Sequence, residues 1–226
     1  MITPLIRTFA FTALLGSACA AEYRHDSDWL KLPASVPQLG DLHGDVAVSS
    51  AGEVYISRKD AAAGILVFAP DGQYLRAVTN APNDFHGFVI RKDREGEFIY
   101  GPRLEEQSIV KLTLDGKMVL EIPAAAIPDR FKEVRPVETP KSGSAAVAGT
   151  GGQGQAFIRL TGMDVAPNGD LYVTDGYASS YVHRFDRHGK YLSSFGGKLP
   201  PYGFKTLHKI AIDTRFAPPR IIACDR

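Results

Sequence analysis

The spacing of its turn glycines constrains this chain more than any other feature. Gly52 and Gly96 stand 44 residues apart, and so do Gly72 and Gly116. Around these pairs, three segments can be laid over one another: "LHGDVAVSSAGEVYISRKDAAAGILVFAPDGQYLRAV" (42–78), "FHGFVIRKDREGEFIYGPRLEEQSIVKLTLDGKMVLEI" (85–122) and "LTGMDVAPNGDLYVTDGYASSYVHRFDRHGKYLSSFG" (160–196). A fourth, "LHKIAIDTRFAPPRIIACDR" (207–226), starts the same way and stops within the pattern. Each full unit has four short apolar runs. A glycine turn separates the first two (Gly52, Gly96, Gly169), and a second turn precedes the fourth (Asp71-Gly72, Asp115-Gly116, His188-Gly189). Alternation and β-branched residues mark these runs as strands, and glycine supplies the turn conformations that side-chained residues avoid.

Four strands per unit at a period in the low forties is the signature of a β-propeller blade. The fold expected is therefore all-β, a propeller of four-stranded blades, with about three and a half present. A ring leaves no blade with an open edge, so the chain reads as part of a longer propeller, most simply a six-bladed one; closure through assembly is the rival. The step from Gly96 to Gly169 is 73 residues, one repeat plus 29. The excess falls in the Gly-, Ala-, Ser- and Pro-rich segment 131–156, expected to be a mobile loop.

Residues 1–20 read as a signal peptide: Arg7, an apolar run from Phe9 to Leu15, then Ala18-Cys19-Ala20 as an A-x-A cleavage pattern. That run is too short to span a bilayer, and no transmembrane segment is expected elsewhere. Export to a periplasmic or extracellular space follows. Cys19 offers a lipoprotein anchor as the rival, disfavoured by Gly16 three residues before it. Cys224 then has no partner and is expected as a small buried hydrophobe in a strand. A formal charge of +1 gives no electrostatic reason to bind nucleic acid. The oligomeric state is left open.

In a propeller, first-strand starts and the loops between second and third strands gather around one face of the central channel. The starts read His43-Gly44, His86-Gly87, Thr161-Gly162 and His208-Lys209. Imidazoles converging from separate blades are suited to zinc, although a histidine there also serves simply to hydrogen-bond the next blade. Tyr177, in "TDGYASS", occupies the equivalent loop of the third unit, where a phenol can act in proton transfer or merely pack on a neighbour. The matching loop of the first unit, "YISRKD", carries Arg58 and Lys59, cations able to hold a carboxylate or to remain solvated.

These stretches resemble a known family. The repeats are similar to NHL-type propellers. More narrowly, "FHGFVI", "LYVTDGYASSYVHRFDRHGKYL", "TLHKIAI" and "ACDR" resemble the peptidyl-α-hydroxyglycine α-amidating lyases. The resemblance implies a six-bladed propeller that holds zinc through three histidines and a structural calcium along the channel. It implies cleavage of a peptidyl-α-hydroxyglycine to a peptide amide and glyoxylate. His86 and His208 match two zinc ligands, Phe88 a position giving calcium its backbone carbonyl, Tyr177 the catalytic tyrosine and Arg58 the catalytic arginine, with Lys59 as its rival. The third zinc histidine would lie beyond Arg226, and His43 has no counterpart role. Ala178 stands where the family has a cysteine, so that disulfide is missing, and Phe85 and Leu207 replace the prolines before the histidines. The partner expected is a small peptide substrate; the rival is a non-enzymatic propeller binding a protein, peptide or glycan.

Overall fold

The computed structural model describes residues 23–40, 45–59, 63–135 and 155–226. The proposed signal peptide and His43 lie outside them. The architecture is a partial β-propeller. Blade one contains β1 (Val46–Val48), β2 (Val54–Ser57), β3 (Ile65–Phe68) and β4 (Tyr74–Val78), antiparallel and in sequence order. Blade two contains β5 (Val89–Lys92), β6 (Glu97–Arg103), β7 (Ser108–Thr113) and β8 (Met118–Pro123). A hairpin of β9 (Glu133–Arg135) and β10 (Gln155–Phe157) follows. Blade three contains β11 (Gly162–Val165), β12 (Leu171–Thr174), β13 (Tyr181–Phe185) and β14 (Tyr191–Gly196). A half-blade of β15 (Leu207–Asp213) and β16 (Arg220–Asp225) ends the chain.

Blades stack face to face, so the middle strands are covered on both sides, and β3 reads as an unbroken buried run, Ile65-Leu66-Val67-Phe68. Tyr55, Ile65 and Val67 pack against Phe85, Phe88, Ile90 and Ile99 between blades one and two. Tyr100 and Ile109 meet Met163, Val173 and Phe185 between blades two and three. Val182, Leu207 and Ile210 close the seam to the half-blade. The other face of blade one, Ile56, Leu66 and Phe68, is covered by Leu30, Leu32, Val36 and Leu39 from the segment before it. That segment is tied down by Lys31 N–H to Gly72 O (2.9 Å) and Trp29 Nε1–H to Pro70 O (3.0 Å).

Of the segment expected to be a mobile loop, Phe131 packs its ring on Tyr181 (centroids 5.1 Å) and β9 pairs with β10. Residues 136–154 lie outside the described set. Cys224 is exposed and not, as expected, buried: β16 is the outer strand of a two-stranded sheet, and no other described strand pairs with it. Among the described residues no helix is long and apolar enough to cross a membrane.

Candidate functional site

"DGYASS" is a turn wound around one carboxylate. Asp175, fully buried, accepts hydrogen bonds from Arg159 N–H (2.6 Å), Ser179 N–H (3.1 Å) and Ser179 Oγ–H (2.5 Å). Burial pushes its carboxyl up to about 6, against the opposing pull of those hydrogen bonds. The turn closes with Ser180 N–H on Asp175 O (2.8 Å), and Ser180 takes the left-handed conformation at φ 59°. Gly176 has a steric reason to be glycine. A Cβ there would stand 2.3 Å from Leu207 O, on the residue just before His208. This close approach presses the turn of blade three onto the half-blade and carries Tyr177 to His208.

Three of the expected site residues meet. The Tyr177 phenol oxygen lies 3.0 Å from His86 Nε2 and 2.9 Å from His208 Nε2. The two imidazole centroids are 4.8 Å apart. His86 Nδ1 lies 2.7 Å from Thr161 O. A carbonyl only accepts, so Nδ1 carries the hydrogen, and in the neutral ring Nε2 is left as an acceptor. The phenol then donates to His86 Nε2, and with both rings neutral His208 Nε2–H donates to the phenol oxygen. Arg226 Nη2 donates to the same oxygen at 3.2 Å. The result is a directional chain from His208 through Tyr177 to His86, ending on a backbone carbonyl.

Thr161 occupies the histidine position of blade three and joins all three partners. Besides the His86 contact at its carbonyl, its hydroxyl accepts Gly176 N–H (3.2 Å) and lies 3.2 Å from Leu207 O and 2.9 Å from Thr174 Oγ1. It is 2% exposed, so these bonds form away from water and hold the turn and both histidine starts in one register. Arg226 is placed by its neighbour: Asp225 accepts Thr206 N–H (2.7 Å) and Lys205 N–H (3.0 Å), while Arg226 N–H donates to Thr206 O (3.2 Å).

Arg58 is not brought to this group. Its Nε donates to Leu39 O (2.8 Å) and its N–H to Gly64 O (2.7 Å). Lys59 borders a shallow cleft with Asp84, Phe85, Leu104 and Glu105. The Phe88 side chain is buried in the core between blades one and two. No motif in the sequence marks Arg226 or Thr161 as a site residue. The trace of the first is the closing "ACDR"; the second shows only as the odd member of a row of histidines.

Among the described residues no group of three or more His, Cys, Asp or Glu side chains converges as a metal cage. The two histidines still fit zinc. Metal-binding imidazoles characteristically donate their second ring N–H to a carbonyl or carboxylate, as His86 Nδ1–H does to Thr161 O; both Nε2 atoms face the Tyr177 oxygen, so zinc would be held there with the phenol displaced from between them and His208 in its other tautomer.

No protein-family profile and no curated protein matches the chain. Among solved structures, a streptogramin B lyase aligns over 84% of this chain and 50% of its own, at 16% identity and a TM-score of 0.51. A virginiamycin B lyase from Staphylococcus aureus aligns over 84% and 57%, at 15% identity and a TM-score of 0.48. An auxiliary nutrient binding protein from Bacteroides ovatus aligns over 80% and 44%, at 15% identity and a TM-score of 0.48. The chain thus spans about half the length of these structures. At such identities the first alignment establishes the propeller fold and nothing finer.

Proposed function

We propose that the Tyr177 group is the proton-handling centre of a propeller lyase that cleaves a peptidyl-α-hydroxyglycine to the peptide amide and glyoxylate. The observation carrying this reading is a single phenol oxygen held between two imidazole Nε2 atoms and a guanidinium. The reaction needs no added water. The α-hydroxyl loses its proton, its C–O bond becomes the aldehyde of glyoxylate as the C–N bond breaks, and the amide nitrogen gains a proton. One group that first takes and then returns a proton serves both ends, and Tyr177, whose oxygen accepts from the Arg226 guanidinium, suits that role. Arg226 supplies positive charge for the developing phenolate or for the substrate carboxylate. Arg58 keeps a carboxylate-binding role only if it leaves the Leu39 carbonyl. Zinc on His86 and His208 would lower the pKa of the hydroxyl it binds; the third protein ligand would come from outside the described residues.

The test is release of glyoxylate from a peptidyl-α-hydroxyglycine by the full-length protein loaded with zinc. Tyr177→Phe is expected to lower kcat by roughly 100-fold or more. Release of no glyoxylate by the unaltered protein, or full activity in Tyr177→Phe, overturns the reading.

A further inference from the structure

The four first-strand starts carry glycine three times after the histidine or threonine, and lysine once: Gly44, Gly87, Gly162 and Lys209. The exception sends its side chain to another blade. Lys209 Nζ lies 2.6 Å from Asp45 Oδ1 and 2.5 Å from Asp45 Oδ2, an ion pair between the half-blade and blade one, 164 residues apart. The neighbouring glycines make room for it. A Cβ on Gly87 would stand 3.1 Å from Asp45 Oδ2, and one on Gly162 would stand 3.4 Å from Lys209 Cγ. The pair is therefore seated one residue along from His86 and His208, at the axis where the first strands converge.

We propose that Lys209 is a built-in cation of the channel, standing on the carboxylate that a divalent ion would otherwise use. The channel calcium implied by the sequence resemblance does not fit these residues. Both Asp45 oxygens are taken by an ammonium, and a fixed positive charge there repels a second cation. Phe88, the residue offered for its carbonyl, follows directly on Gly87, beside that carboxylate. The assignment does not rest on the lyase reading, because it concerns which positive charge neutralises Asp45. It has a sharp corollary: taking the ammonium away leaves an axial carboxylate open to a cation, and carboxylate oxygen is the hard ligand that calcium takes.

The test is thermal unfolding of the whole chain in chelator and in millimolar calcium chloride at matched ionic strength. The unaltered protein is expected to melt at the same temperature in both and to hold no calcium by elemental measurement. Lys209→Met is expected to melt lower in chelator and to recover part of the loss in calcium, and the added change Asp45→Asn is expected to abolish that recovery. A calcium-dependent rise in the unaltered protein, bound calcium in it, or a Lys209→Met variant indifferent to calcium overturns the proposal. Should Lys209→Met not fold, Lys209→Gln repeats the comparison. Failure of both to fold in calcium also overturns it, since calcium is expected to take over the charge.

Discussion

Two buried histidines show how differently one residue type is used in two regions of this molecule. His86, at the seam where blades two and three meet the half-blade, is 6% exposed and has both ring nitrogens engaged, one by Thr161 O and one by Tyr177. His183, inside blade three on β13, is fully buried, yet only its Nδ1 has a partner, Ser194 Oγ at 2.7 Å. Its Nε2 has no hydrogen-bond partner among the described residues. Burial pulls the His183 imidazole down to about 4, with the charge of Lys132 adding to the shift. The more deeply buried histidine is thus the one with less chemistry available. What marks the seam is convergence of side chains from separate blades, which burial alone does not bring.

The largest expected effect breaks the comparison outright. His86→Leu is expected to lower glyoxylate release by roughly 100-fold or more, while His183→Leu leaves it unchanged, because an apolar side chain there also removes the unpaired nitrogen. Parallel kinetics on the two variants check this, and equal losses would mean that burial, not convergence, sets the difference. Next in size is Gly176→Ala. The new Cβ meets Leu207 O, and a cost of roughly 1–3 kcal/mol is expected from forced displacement, measured by denaturant unfolding alongside the loss of activity as the turn withdraws from His208. The smallest effect is the pH slope of the unaltered protein, where two buried groups act in opposite directions. His183 titrates at about 4 in the fold against 6.5 in the unfolded chain. The unfolded chain therefore binds the extra proton, and stability from this group is lost as pH falls through that window. Asp175 titrates at about 6 in the fold against 3.8 unfolded. Here the folded state binds the extra proton, and stability is lost as pH rises from 3.8 to 6. The two slopes oppose each other. His183→Leu is expected to leave stability declining with rising pH between about 4 and 6, read from denaturation midpoints across that range.

Much of the site is legible because the repeat is legible. Glycine spacing puts His86, Tyr177 and His208 at known places in three successive units, and the structure brings them within hydrogen-bond reach. Arg226, Thr161 and Lys209 are not legible in the same way. Arg226 and Lys209 act through long side chains whose direction is set by neighbours in other blades, and Thr161 acts partly through its carbonyl, which every residue possesses. Arg58 fails to join the group for a related reason: a local backbone acceptor, Leu39 O, holds its Nε.

Cys224 and the inserted segment mark the same boundary from the other side. Composition describes what a stretch is made of, and its exposure depends on what packs beside it. β16 is apolar enough to be covered, but among the described residues no further strand pairs with its outer edge. The segment ending at Gln155–Phe157 is glycine-rich up to its last strand, yet that strand finds a partner in Glu133–Arg135.

Periodicity in the amino-acid chain alone was enough to specify four-stranded blades and the turn that interrupts blade three at "DGYASS". Strand period and turn chemistry are local, and residues a few positions apart carry them. The tautomer of His86, the guanidinium on Tyr177 and the ammonium on Asp45 were settled only when the blades stacked. Each depends on atoms dozens to more than a hundred residues apart, whose meeting no local pattern records.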